Sequence, residues 1–206
     1  WDMHGFNRLG GNSLAETVVA GGIIGAKIVE FLKGYETSFD TKSVNAEVKR
    51  QEERIHDVTH GRNGKLNVYE VRNEMQEALM KGCFVFRNKE GLEECVQTLQ
   101  GTMEKARKVG LVSDGAGANH ELAAAMKLEG QVKLAMCIAQ AALMRTESRG
   151  SHNREDFPAR NDSEWLNRTL AYWPEGADMP DLKYEDTTPL FELPPGDRGY
   201  GGGKII

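Results

Sequence analysis

The stretch from Glu121 to Met144 is the strongest constraint on how this chain folds. Its centre, Leu134-Ala-Met-Cys-Ile-Ala-Gln-Ala-Ala-Leu143, is apolar nearly all round, which predicts a helix buried inside a bundle rather than one lying on a surface. Three other segments are built to surround such a helix. Asn67–Met80 carries Val68, Val71, Met75, Ala78 and Leu79, and Leu92, Cys95, Val96, Leu99, Met103 and Ala106 recur at helical spacing up to Gly110. Thr41–Thr59 is strongly charged with a thin stripe of Val44, Val48, Ile55 and Val58. Short polar turns join them, among them Gly115-Ala-Gly117 ahead of a helix start at Asn119 or His120. The pattern predicts a mainly α chain built on an antiparallel bundle of three to four helices.

The flanks differ in character. The opening, from Trp1 to Ser13, has neither period and reads as a glycine-rich loop. Leu14 to about Lys33 predicts a mostly buried helix capped by Asn12 or Ser13, with Glu16 in its first turn as in a capping box and Gly34 as its stop. Gly21, Gly22 and Gly25 weaken that helix by up to about 1 kcal/mol each relative to Ala, which close backbone packing would offset. After Arg149 the chain is polar through Ser151–Glu164, then predicts short strands at Thr169–Trp173 and Leu182–Glu185 among punctuating prolines. The ending Gly199-Tyr-Gly-Gly-Gly203 is flexible by composition. Boundaries therefore fall at 1–33, 34–150 and 151–206.

Composition excludes several classes. The 206 residues suffice for one large domain or two small ones, and 26 Lys and Arg against 31 Asp and Glu give a net charge of −5. A general nucleic-acid binder would instead show a basic excess or stripe. Cys83, Cys95 and Cys137 form no CxxC or Cys/His pattern, so no zinc or iron–sulfur site is expected, and sparse unpaired cysteines suit a reducing compartment. The longest apolar stretch, Val18–Phe31, is broken by glycines, Lys27 and Glu30, which argues against a membrane span or a signal peptide and for a soluble chain. Starting at Trp1, it reads as the interior or tail of a longer polypeptide. His56 and His60 have metal-ligand spacing, but no third ligand is nearby and their charged segment reads as a solvated face. His120 reads as a residue near a helix cap, and the methionines as core fillers.

Two segments carry chemistry. In His4-Gly-Phe-Asn7-Arg8-Leu-Gly-Gly-Asn12-Ser13-Leu14, glycines beside a helix start let backbone N–H groups approach an anion, and Arg8 offers a planar fork for a carboxylate. The residues alone leave two readings open, an anion site or a plain helix-capping loop. The second segment, Arg145-Thr-Glu-Ser-Arg149-Gly-Ser-His152 through Asp162, reads on its own as a salt-bridged surface turn, with Arg145 favouring the C-terminal dipole of the preceding helix.

The string His4-Gly-x-Asn7-Arg8-Leu-Gly-Gly-Asn12-Ser13 resembles the second FAD-contacting segment of succinate dehydrogenase and fumarate reductase flavoprotein subunits. The resemblance implies that Arg8 holds a substrate carboxylate over the flavin. It also implies that Ser13 and Leu14, with Asn12 beside them, contact the isoalloxazine at the helix start, and that His4 and Asn7 shape the loop. Glu147-Ser-Arg149-Gly-x-His152 followed by Phe157-Pro-x-Arg160-x-Asp162 resembles the same family's junction between helical and C-terminal domains. That gives Arg149 and His152 supporting roles near the flavin domain and the iron–sulfur partner.

Leu182-Lys-Tyr-Glu-Asp186 with Leu193-Pro-Pro-x-x-Arg198-x-Tyr200-Gly-Gly202 is more similar to the fumarate reductase ending. Gly22, where many relatives carry Arg, is a departure. The three parts then become the last loop and helix of an FAD-binding domain, a helical domain, and a small irregular α+β C-terminal domain. The rest of the flavoprotein subunit, an iron–sulfur subunit and, indirectly, a membrane-anchor quinone-binding subunit are the implied partners, with fumarate and succinate as ligands, FAD held mostly by upstream residues, and no metal. The assembly would sit peripherally on the cytoplasmic face of the cell membrane. The isolated chain is expected to be inactive. Succinate dehydrogenase, a non-catalytic interaction module and the C-terminal part of L-aspartate oxidase are the alternatives.

Overall fold

A computed structural model describes residues 4, 8–36, 38–62, 66–113, 117–187 and 196. The chain divides into two compact units, Trp1–Glu53 and Arg54–Ile206.

In the first unit, α1 runs from Asn12 to Leu32. It begins not on a side-chain cap but on Gly11, whose φ of 80° places it in the left-handed region that glycine enters without a Cβ penalty. Neither Asn12 nor Ser13 caps the helix, because both lie inside it, and Glu16 makes no capping-box bond. Expected to be mostly buried, α1 has Ala20 as its only buried residue, while Val18, Val19, Ile23, Ile28, Val29, Phe31 and Leu32 are exposed. A Cβ at Gly21, Gly22 or Gly25 would meet nothing within 4 Å, so the close packing expected there is not made by the described residues. The next helix, α2 (Thr41–His56), starts where Asp40 accepts the Lys42 N–H at 3.1 Å. Those bonds, from the Ser43 hydroxyl and then the Lys42 N–H, hold the Asp40 carboxyl below its usual range. Val44, Val48 and Ile55 of the stripe are exposed, and only Val58 is buried.

The second unit is organised by three helices, α3 (Val68–Gly82), α4 (Lys89–Ala106) and α5 (His120–Met144), which pack on one another pairwise. Each starts on an asparagine whose side chain accepts a backbone N–H: Asn67 from Tyr69, Asn88 from Gly91, and Asn119 from Leu122. Every apolar residue of the Leu92–Ala106 series is buried, together with Val68, Val71, Met75 and Ala78 of α3. From α5 the core takes Leu128, Val132, Ala135, Met136, Ala139 and Ala142. The all-round burial expected of α5 does not hold: Leu134 is 63% exposed and Ile138 48%, because the bundle covers only one side of the helix.

A π-helical turn over Asp57–Gly61 delivers Arg62 to the bundle. Its guanidinium donates to Asp57 at 2.7 Å, to the Ala106 carbonyl at 3.2 Å and to Glu129 at 3.2 Å. After α5, a short strand β2 (Asn153–Arg154) pairs in parallel with β1 (Phe86–Arg87), and a four-residue helix α6 (Asp162–Trp165) precedes an antiparallel pair, β3 (Asn167–Tyr172) and β4 (Asp181–Asp186). Both expected strands are present. Their connection carries Trp173 and Met179 onto the core. No helix among the described residues is long and apolar enough to cross a membrane.

Candidate functional site

The helix start in the first unit is open. Asn12 N–H donates to the Leu9 carbonyl at 3.1 Å and Leu14 N–H to the Gly11 carbonyl at 3.1 Å, while the Ser13 N–H has no acceptor among the described residues. Of the two amides expected to face a ligand, Ser13's is therefore unspent and Leu14's already closes a turn. Arg8 is exposed and has no hydrogen-bond or ion-pair partner among the described residues. His4 lies over the helix, its Nε2 3.7 Å from Oε2 of Glu16. Asn7 lies outside the described residues. An arginine fork, a free amide and a partial positive helix end together suit a carboxylate or another planar anion.

In the second unit the expected surface turn is an interior ion network. Glu147 is wholly buried. Its Oε1 accepts from Arg145 Nη1 at 2.8 Å and Arg149 Nε at 2.7 Å, and its Oε2 from Arg149 Nη2 at 3.0 Å and the Asn161 N–H at 2.8 Å. Burial pushes the Glu147 carboxyl upward. The bonds from Arg149, Asn161 and Arg145, with the Arg149 charge, outweigh that and hold it below the usual range. Arg149 Nη2 also reaches Asp162 at 2.6 Å, so the Nε–Nη2 edge of its fork is committed.

Arg145 does not reach the C-terminal carbonyls of α5. It turns to Glu147, to the carbonyls of Trp165 and Asn167 at 3.0 and 2.8 Å, and stacks over the Trp165 ring. The helix end is taken instead by Arg154, 1% exposed, whose Nη1 donates to the carbonyls of Ala142, Leu143 and Arg145 at 3.0, 3.0 and 3.1 Å. Asp156 neutralises it through two bonds of 2.7 Å and also accepts the Lys89 N–H at the start of α4.

His152 closes a tight turn with Arg149, each backbone N–H bonding the other's carbonyl at 2.9 Å across Gly150 at φ 57°. Its Nδ1 lies 2.8 Å from Arg87 Nη1 and its Nε2 3.1 Å from the Arg145 carbonyl. An arginine can only donate, so Nδ1 accepts and Nε2 carries the proton. Burial first, then the charges of Arg87, Arg154 and Arg145, push the imidazole below its ordinary range despite the Arg145 carbonyl bond. His152 is a neutral strut here. Arg87, Glu147, Arg154 and Asp156 escaped sequence reasoning because their roles arise where β1 and β2 meet, far apart in the chain; the dense alternation of arginines and acids was the available signal.

Other candidates resolve quietly. His56 and His60 stack with centroids 5.0 Å apart, and no group of three or more His, Cys, Asp or Glu among the described residues is placed to hold a metal. Cys83 and Cys95 are buried free thiols, and burial pushes Cys95 up to about 11. A cleft of about 390 Å³ between α6 and the end of β4 is lined by Asp162, Glu164 and Asp186, and Asp162 there is paired with Arg149 and Arg160.

The family described as fumarate reductase flavoprotein C-term matches residues 72–200. A fumarate reductase flavoprotein subunit of Helicobacter pylori is 42% identical over 203 residues, spanning 98% of this chain and 28% of that protein. A succinate dehydrogenase flavoprotein subunit of Bacillus subtilis is 30% identical over 208 residues, spanning 100% of this chain and 35% of that protein. Among solved structures, an E. coli quinol fumarate reductase FrdA superposes with a TM-score of 0.85 at 31% identity, over 96% of this chain and 33% of that one. The chain thus spans about a third of the length of the relatives it matches.

Proposed function

This chain belongs to the fumarate reductase flavoprotein C-terminal family, and from that premise we propose that it is the C-terminal portion of the flavoprotein subunit of an FAD-dependent fumarate reductase. Arg8 binds a fumarate or succinate carboxylate, and the helix start at Asn12, Ser13 and Leu14 faces the flavin. The observation that carries this reading is the state of Arg8: it has no hydrogen-bond or ion-pair partner among the described residues, whereas Arg145, Arg149 and Arg154 bond carboxylates or carbonyls. The residues present fit one edge of a flavin, since among the described residues the Ser13 amide has no acceptor and a Cβ at Gly10 or Gly11 would meet nothing within 4 Å.

Bound there, FAD supplies the two-electron chemistry that interconverts fumarate and succinate. The chain's own share is positioning and electrostatics. Arg8 clamps a carboxylate bidentately and fixes its orientation, and the helix end stabilises negative charge that develops beside it. Arg149 and His152, in the second unit, fix the turn that follows α5.

The exposed apolar residues of α1 support a further part of the reading, that the rest of the flavoprotein subunit covers this helix. An iron–sulfur subunit and, through it, a quinone-binding membrane anchor complete the assembly and hold it peripherally at the cytoplasmic face. The greater identity to the fumarate reductase of Helicobacter pylori than to the succinate dehydrogenase of Bacillus subtilis favours fumarate reduction.

The test is Arg8→Gln and Arg8→Lys in the intact subunit. Turnover should vanish in both while FAD is retained, because Lys keeps the charge but lacks the fork. Near-normal turnover in either overturns the assignment. A second reading, an interaction module without activity of its own, is supported by the exposed apolar residues of α1. Stoichiometric flavin binding and fumarate turnover by the purified chain with FAD and dithionite would contradict it.

A further inference from the structure

The connection between α3 and α4 is tied to the rest of the second unit by a bond that only a neutral imidazole can accept. Arg87, the second residue of β1, donates through Nε to the Phe84 carbonyl at 2.9 Å and through Nη1 to His152 Nδ1 at 2.8 Å. One side chain thus closes its own loop and fastens that loop to the turn after α5. The backbone adds a two-residue ladder, Phe86 with Asn153 and Arg87 with Arg154, and the Glu155 N–H donates to the Arg87 carbonyl at 2.8 Å. Phe84, Val85 and Phe86 are 55%, 47% and 67% exposed, so apolar burial contributes little to keeping the loop closed.

Both ring nitrogens of His152 are in use, Nδ1 accepting from Arg87 and Nε2 donating to the Arg145 carbonyl at 3.1 Å. A proton added at Nδ1 turns that acceptor into a donor and sets it against the Arg87 N–H, so the bond is lost. The charges acting on the ring are those of Arg87 from β1, Arg154 from β2 and Arg145 from the end of α5, all positive. Arg149, its partner across the turn, points its charge at Glu147 and Asp162. The acids of this network are bonded to other cations: Glu147 to Arg145 and Arg149, Asp156 to Arg154, and Asp162 to Arg149 and Arg160.

We propose that His152 is a proton-sensitive latch, whose protonation expels Arg87 and frees the α3–α4 connection over residues 83–88 while the bundle stays folded. Burial and the three arginines hold the closed imidazole below its ordinary 6.5, and opening relieves both by admitting water and removing Arg87. Opening therefore takes up a proton. Its equilibrium constant is flat above pH 6.5 and rises below it, by up to about tenfold per pH unit, until the lower value of the closed state is passed. Cys83 reports the same event, since it is a buried free thiol at the end of α3 within reach of the Arg87 charge.

Hydrogen exchange of the intact flavoprotein subunit, read by mass spectrometry from about pH 7.5 to about pH 5 and corrected for intrinsic rates, tests the latch. Protection over residues 83–88 should hold down to about pH 6.5 and then fall by up to about tenfold per pH unit, with the centre of α5 unchanged. In His152→Gln it should not vary with pH, because glutamine offers Arg87 an oxygen and the Arg145 carbonyl an N–H, and does not titrate. Arg87→Ala should show low protection at every pH. Labelling of Cys83 by an aromatic disulfide reagent requires no variant, and it should quicken relative to the urea-unfolded subunit as pH falls below about 6.5. Protection at 83–88 that ignores pH, or a loss that spreads equally through α5, overturns the proposal. So does a pH dependence that survives in His152→Gln or Arg87→Ala, or Cys83 labelling that does not quicken in acid.

Discussion

Glu147 and Arg149 meet fork to fork inside the protein, Nε on Oε1 at 2.7 Å and Nη2 on Oε2 at 3.0 Å, with the carboxylate wholly removed from solvent. Two residues apart in sequence, they hold the turn after α5 in one conformation, and Arg145 and the Asn161 N–H fill the remaining acceptor sites.

Replacing Glu147 by Gln should therefore be among the most destabilising single changes available. It leaves the Arg145 and Arg149 guanidinium groups facing a neutral amide that accepts through one oxygen only, and breaking a buried pair from one side costs about 3–5 kcal/mol. Urea denaturation followed by circular dichroism checks this. A loss below about 1 kcal/mol would show that the network relaxes onto water.

Acid should unfold the chain in two stages. The His152 imidazole is held below its unfolded value of 6.5, so its stabilising share is full above that pH and is lost as pH falls from there through the lower folded value. The carboxyls of Glu147, Asp156 and Asp162 are also depressed, from 4.5, 3.8 and 3.8. Their share is complete above those values and is lost as pH falls below them. Thermal melts between neutral pH and pH 3 should show a shallow decline starting near 6.5 and a steep one below about 4.5. His152→Gln should remove only the first decline.

Two glycines should respond to alanine with opposite signs. At Gly82 a Cβ would lie 2.2 Å from the Gly91 carbonyl oxygen and 2.7 Å from the Cys95 Cβ, so α3 and α4 must separate where they cross. Overpacking of this kind costs about 1–3 kcal/mol. At Gly101, inside α4, nothing lies within 4 Å, and alanine should stabilise by up to about 1 kcal/mol through helix propensity. Paired Tm measurements decide it, and a stabilising Gly82→Ala would contradict the packing at the crossing.

The bundle was legible in the sequence because its determinants are local. Apolar spacing located Leu92, Val96, Leu99 and Met103 in the core, and it set helix starts at Asn67 and at Asn119 or His120, of which the structure makes Asn67 and Asn119 the caps. What depends on partners was not legible. Apolar composition predicted burial for Leu134 and for most of α1, yet burial is decided by what lies alongside, and neither face is covered by the described residues. The start of α1 was misread for a related reason: Asn12 and Ser13 have capping chemistry, but the left-handed Gly11 turns the chain first. The motif around Arg8 was legible as an anion-binding pattern, whereas the contact of His4 with Glu16 is a matter of three-dimensional return.

Arg154 tests that lesson directly, since its proximity to the end of α5 is invisible in the sequence. The guanidinium donates to three carbonyls of that helix end and to both oxygens of Asp156, which in turn holds the first amide of α4. Lysine keeps the charge and some reach but offers a single ammonium where a fork served carbonyls on one side and a carboxylate on the other. Arg154→Lys should cost about 2–3 kcal/mol, for bonds to a charged donor that are buried and lost together. Asp156→Asn should cost a comparable amount by leaving the guanidinium without its counter-charge. Amide hydrogen exchange gives the more specific readout. In Arg154→Lys, protection should fall at the last turn of α5 and the first turn of α4 together, with the middle of α5 unaffected. Loss confined to one helix end would mean that Arg154 and Asp156 do not couple the two.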